Sequence, residues 1–111
     1  MTERGRKYLS DILLAIDLIH EFTSEITNFG DYQNDFKTKS AVERQLGIIG
    51  EAVNQFRKEN STFELSHTRQ VVNFRNRLIH SYDNIDDSII WAIVKRHLPV
   101  LKKEVERGLE E

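Results

Sequence analysis

The chain has 111 residues, enough to bury roughly two-thirds of its unfolded surface around one core, so a single domain over residues 1–111 is expected. Its composition, 39% hydrophobic and 31% charged with five glycines and one proline, matches a compact helical protein better than a strand-rich or disordered one. Zero cysteines exclude a disulfide framework or a thiolate zinc site; the lack of a signal peptide or long apolar run points to a cytoplasmic chain outside the membrane. A net charge of -2 excludes a general electrostatic grip on nucleic acid, so any such contact must be local.

Leu9, Ile12, Leu13, Ile16, Ile19 and Phe22 recur at spacings of three and four, predicting an amphipathic helix over residues 5–28. Asn28, Gly30, Asp31 and Asn34 then break the period and mark a connection with room for one short helical turn. Val42, Leu46, Ile49, Val53 and Phe56 predict a second helix over 38–58, with Glu43 and Glu51 on other faces. Gly47 and Gly50 lie inside it; since a glycine costs a helix about 1 kcal/mol against alanine, they mark a face that another backbone approaches closely.

After ENSTFEL at 59–65, Ser66 or Thr68 is placed to cap a third helix running to about Ser81, ended by Tyr82, Asp83 and Asn84. Asp86 or Asp87 then caps a fourth, striped by Ile89, Ile90, Ile93, Val94, Leu98, Leu101 and Val105. Pro99 removes a backbone donor from that helix and predicts a kink or short break around His97 and Leu98. The expected fold is all-α, an antiparallel four-helix up-and-down bundle, with no internal repeat.

The third helix carries an anomaly. On a wheel of about 100° per residue, Arg75 falls at the centre of an arc made by Val71, Val72, Leu78, Ile79 and Tyr82. A guanidinium cannot lose its proton, and burying it unpaired would cost several kcal/mol, so this face should meet water, an acid or an anion. Asn76 and His80 form an i, i+4 pair at the edge of the same helix. One reading is structural: Arg75 pairs across the bundle with Glu51 or Glu43, and His80 caps the helix end. The other is chemical. Arginine offers a forked donor set for a phosphate and histidine exchanges a proton near neutral pH, which together suit metal-free cleavage of RNA through its own 2'-hydroxyl.

The set Arg75, Asn76, His80 and Tyr82 (R-N-x3-H-x-Y) resembles the signature of the HEPN superfamily, specifically its HepT-like toxins. The likeness extends to IIGEAV at 48–53, to IDDSIIWAIVKRHLPVLKK after the motif and to the helix order, and so spans most of the chain. That resemblance implies a metal-independent endoribonuclease of a toxin-antitoxin pair, a homodimer whose two motifs line one cleft, acting on cellular RNA such as tRNA or mRNA. Carried over, His80 is the catalytic acid or base, Arg75 binds the scissile phosphate and Asn76 orients them. Tyr82 corresponds to the tyrosine that an MntA-like nucleotidyltransferase antitoxin modifies with AMP; the added negative charge would repel RNA.

Other polar residues carry bland readings. Arg77 lies on the far side of the third helix, His20, His67 and His97 lack metal-ligand partners at any diagnostic spacing, and no metal or other cofactor is proposed. Lys95, Arg96, Lys102 and Lys103 are read as a solvated face, and Trp91 as core or dimer contact. Two other functions compete with the nuclease: a non-catalytic HEPN subunit that binds a nucleotide or a minimal nucleotidyltransferase, and a plain helical scaffold whose Arg75 pairs with Glu51 of its own subunit.

Overall fold

The computed structural model describes residues 1–59, 62–80 and 85–111. The described residues are all-helical: α1 (Glu3–Thr23), α2 (Phe29–Gln33), α3 (Phe36–Glu59), α4 (Arg69–His80), α5 (Asp87–Ala92), a π-helical turn (Ile93–His97) and α6 (Leu98–Glu110).

Helix α1 starts where the Thr2 hydroxyl accepts the Gly5 N–H at 2.9 Å, an N-cap that satisfies one orphan donor. It stops at Thr23, short of the expected 28. The physical reason is local: Ser24 N–H and Oγ both donate to the Glu21 carbonyl, at 3.4 and 3.0 Å, the acceptor that Glu25 N–H would have used in further helix, while Thr23 Oγ1 donates to the Ile19 carbonyl at 2.9 Å. Asn28 caps α2 through Asp31 N–H, and Asp35 accepts from both the N–H and the hydroxyl of Thr38 at the head of α3.

The predicted stripes meet in one core. Leu9, Ile12, Ile16 and Ile19 of α1 are buried with Val42, Leu46, Ile49, Val53 and Phe56 of α3, and Leu98, Leu101 and Val105 of α6 close over them. Helix α1 packs against both α3 and α6, while α3 packs on its other side against α4. Phe22, placed in the apolar stripe by spacing, is 37% exposed, while Ile19 and Thr23 carry the buried face of the last turns of α1.

Asp86 caps α5 through Ser88 N–H at 2.9 Å. Five residues on, the chain widens: Leu98 N–H donates to the Ile93 carbonyl, an i to i−5 bond that defines a π turn. Pro99 follows directly, at the first turn of α6, where its missing N–H leaves no ladder bond unmade. Tyr82, Asp83 and Asn84, expected to end the third helix, lie outside the described residues, as does Ser81. No described helix is long and apolar enough to cross a membrane.

Candidate active site

The site is built where α4 lies on α3. A methyl group at Gly50 would come within 2.6 Å of Arg75 Cβ and 3.1 Å of the Val71 carbonyl; at Gly47 it would come within 3.0 Å of Leu78 Cδ2. The two glycines therefore permit the close approach expected of them, and that approach fixes the root of Arg75 against α3.

The orientation of α4 corrects one sequence expectation. Val71 and Phe74 are buried and Val72 and Leu78 are half-buried against the core, whereas Ile79 is 55% exposed. The buried arc is centred among Val71, Phe74 and Leu78, so Arg75 stands at its margin and not at its centre. Phe74, left out of the predicted arc, is the cause: burying an aromatic ring outweighs burying Ile79, and the helix is turned accordingly.

From that margin the guanidinium reaches two groups. Arg75 Nη2 lies 2.5 Å from Glu51 Oε2, and Nη1 donates to Asn76 Oδ1 at 3.4 Å. Glu51 is held from its other side by Gln55, whose amide donates to Oε1 at 2.9 Å. Pairing of Arg75 with an acid of its own chain is thus present, as the scaffold reading expects. The pair is not dry, however: the Arg75 and Glu51 side chains are 29% and 45% exposed. They form part of the wall of an open groove of about 730 Å³, together with Arg44, Ile48 and Ile79.

Asn76 and His80 are exposed, one turn apart on α4, and neither belongs to the described groove lining. The fold brings Arg75 to Asn76; His80, the last residue of α4, stands about 140° round the helix from Arg75. Tyr82 lies outside the described residues. The Glu51–Gln55 clamp was not anticipated, although its i, i+4 spacing on one helix is the signal that could have found it.

A second polar cluster ties α3 to α5. Lys39 Nζ lies 2.6 Å from Asp87 Oδ2, with both side chains mostly buried. Burial and the nearby Asp87 raise the Glu43 carboxyl above its ordinary range, with Lys39 opposing. Beside it Tyr32 is fully buried, its phenol pushed up by burial and then by Glu43 and Asp87, and its ring lies 5.2 Å from that of Trp91. Trp91 in turn carries Lys95 over its face at 4.6 Å. Elsewhere Lys102 pairs with Asp17 at 2.9 Å, Arg77 and His20 are exposed, and His67 and His97 face each other with their Nδ1 atoms 3.1 Å apart. Among the described residues no three His, Asp or Glu side chains cluster as a metal site would require.

A family model described as "Ribonuclease HepT-like" matches residues 12–108. The chain belongs to the HepT-like ribonuclease family. Among its relatives, "Probable ribonuclease HepT" of Thermococcus cleftensis is 40% identical over 111 residues, covering 96% of this chain and 97% of that protein. "Putative RNase MJ1380" of Methanocaldococcus jannaschii is also 40% identical, over 96% of this chain and 98% of its own length. No solved structure matches. Of Arg75, Asn76, His80 and Tyr82, the described residues contain the first three, with Arg75 on the groove wall and His80 exposed at the end of the same helix.

Proposed function

We propose that this chain is a metal-independent endoribonuclease, the toxin of a toxin-antitoxin pair, working in the cytoplasm as a homodimer on tRNA, mRNA or other cellular RNA. The observation that carries the reading is Arg75: a permanent cation rooted by a glycine contact and presented at the wall of an open groove, in a family of ribonucleases. Its fork suits a scissile phosphate, and the groove volume lies within the usual range for a bound small molecule, roughly 300–1,000 Å³.

In this reading the phosphate docks on Arg75, whose charge stabilises the oxygens as negative charge grows on them. Asn76, already in contact with the guanidinium, orients it. His80 transfers a proton at the sugar oxygens. The exposed Ile48 and Ile79 beside the groove suit a second copy, which would bring its own motif to the same cleft. The architecture is a four-helix up-and-down bundle in which α5, the π turn and α6 count as one helix bent before Pro99. Tyr82, two residues beyond His80, is the site at which an MntA-like nucleotidyltransferase antitoxin adds AMP, and the added charge silences the groove.

Purified protein should cut RNA in the presence of EDTA, and His80→Ala should lose that activity while keeping its helical circular dichroism. Incubation with the nucleotidyltransferase and ATP should add the mass of AMP to the peptide carrying Tyr82. The Arg75–Glu51 pair favours a second reading, a plain helical scaffold that uses the pair only to join α3 to α4. That reading requires wild-type protein without RNA cleavage and an Arg75→Ala variant whose sole defect is lower stability.

A further inference from the structure

This inference rests on the ribonuclease reading and deepens it. Cleavage through the 2'-hydroxyl needs two proton transfers, one off the attacking oxygen and one onto the leaving oxygen. Each copy's motif supplies one imidazole, His80, and it stands at the end of α4 outside the described groove lining. The groove itself holds another titratable group in contact with the phosphate-binding cation. Glu51 Oε2 lies 2.5 Å from Arg75 Nη2, and Gln55 fixes Oε1 at 2.9 Å. A carboxylate has about four acceptor positions, so these two bonds leave lone pairs free, and 45% of the side chain faces solvent.

The other acids on the groove wall are less suited. Asp11 is occupied by Lys7 at 2.8 Å, and Glu43 feels the charges of the Lys39–Asp87 pair. A phosphate seated on the guanidinium fork would lie beside Glu51, and the ribose of the same nucleotide would carry its 2'-hydroxyl to the free lone pairs.

We propose that Glu51 is the general base of RNA cleavage, with His80 as the general acid. Glu51 takes the proton of the 2'-hydroxyl, and the 2'-oxygen bonds to phosphorus. The bond from phosphorus to the 5'-oxygen breaks with its electron pair, and that oxygen takes the proton of the His80 imidazolium. The products are a 2',3'-cyclic phosphate and a 5'-hydroxyl. Glu51 leaves the step protonated and His80 neutral, and exchange with water restores both.

The test is single-turnover cleavage of an RNA oligonucleotide by wild type, Glu51→Gln, Glu51→Asp and His80→Ala, each checked for folding by circular dichroism. Glu51→Gln should lower kcat by about 10²–10⁴-fold with KM little changed and should lose the acidic limb of the pH profile, while Glu51→Asp recovers part of the rate. A substrate whose 5'-bridging oxygen is replaced by sulfur needs no proton on its leaving group; it should restore His80→Ala and leave Glu51→Gln inactive. If Glu51→Gln keeps the acidic limb and loses only affinity, Glu51 merely positions Arg75, and the proposal fails. Wild-type cleavage by Glu51→Gln beside an inactive His80→Ala also overturns it. Cleavage that survives His80→Ala removes the general acid and with it the proposal, whereas no cleavage by wild type removes instead the ribonuclease reading beneath it.

Discussion

Gly50 on α3 lies directly beneath Arg75 on α4, so close that a methyl group there would stand 2.6 Å from Arg75 Cβ. The obstructing atom is the root of the side chain, which moves only if the helix moves. Alanine at position 50 gains about 1 kcal/mol of helix propensity and loses about 1–3 kcal/mol to overpacking. Gly50→Ala should therefore lower the melting temperature slightly and, by shifting Arg75 on the groove wall, weaken RNA cleavage more than stability. Calorimetry and a cleavage assay on the same sample check both.

The α3–α5 junction makes a charge prediction. The Glu43 carboxyl is raised above its ordinary range, first by burial and then by Asp87, so the folded state holds this proton more tightly than the unfolded chain. The associated stability is complete below the unfolded pKa, near 4.3, and is lost as pH rises through the raised folded value. Glu43→Gln should then melt higher than wild type at about pH 7, and the two curves should converge toward about pH 4. Asp87→Ala acts oppositely. It strands Lys39, its partner at 2.6 Å, and should destabilise by about 2 kcal/mol, much of it recovered in the Lys39→Met, Asp87→Ala double variant.

The two histidines at the loop before α4 and the end of the π turn predict an acid limb of stability. His97 is lowered by burial, then by His67 and Arg96, so its neutral form is the one the fold favours. Its contribution is complete above the unfolded value, near 6.5, and is lost as pH falls through the lowered folded value. With Nδ1 atoms 3.1 Å apart, one ring must donate and the other accept, an arrangement that two imidazolium ions cannot keep. Melting temperature should fall between about pH 7 and about pH 5, and His97→Gln should flatten that fall.

Much of this was legible in the sequence where period and chemistry agree. The stripes of α1, α3 and α6 were visible because three-and-four spacing is what one-sided burial requires, and Gly47 and Gly50 were readable as contacts because an interior glycine needs a reason. The end of α1 was not, since Thr23 and Ser24 close it with hydroxyl bonds that compete with helix only locally. The facing of α4 was missed because spacing alone does not weigh Phe74 against Ile79. Likewise, Glu51 could be named as a partner for Arg75, but the openness of the groove around the pair depends on how α3 and α4 cross, which no single helix encodes.

The central claim is that RNA is cut by its own 2'-hydroxyl on the Arg75 groove without a metal ion. The most direct measurement is the chemistry of the cut ends, read by mass spectrometry after digestion of a defined RNA in EDTA, beside the same RNA with one 2'-deoxy sugar at the cleavage position. The account predicts 2',3'-cyclic phosphate and 5'-hydroxyl ends from the first and no cut at the substituted position in the second. Ends bearing 5'-phosphate, cleavage that persists at the deoxy sugar, or activity abolished by EDTA would contradict it.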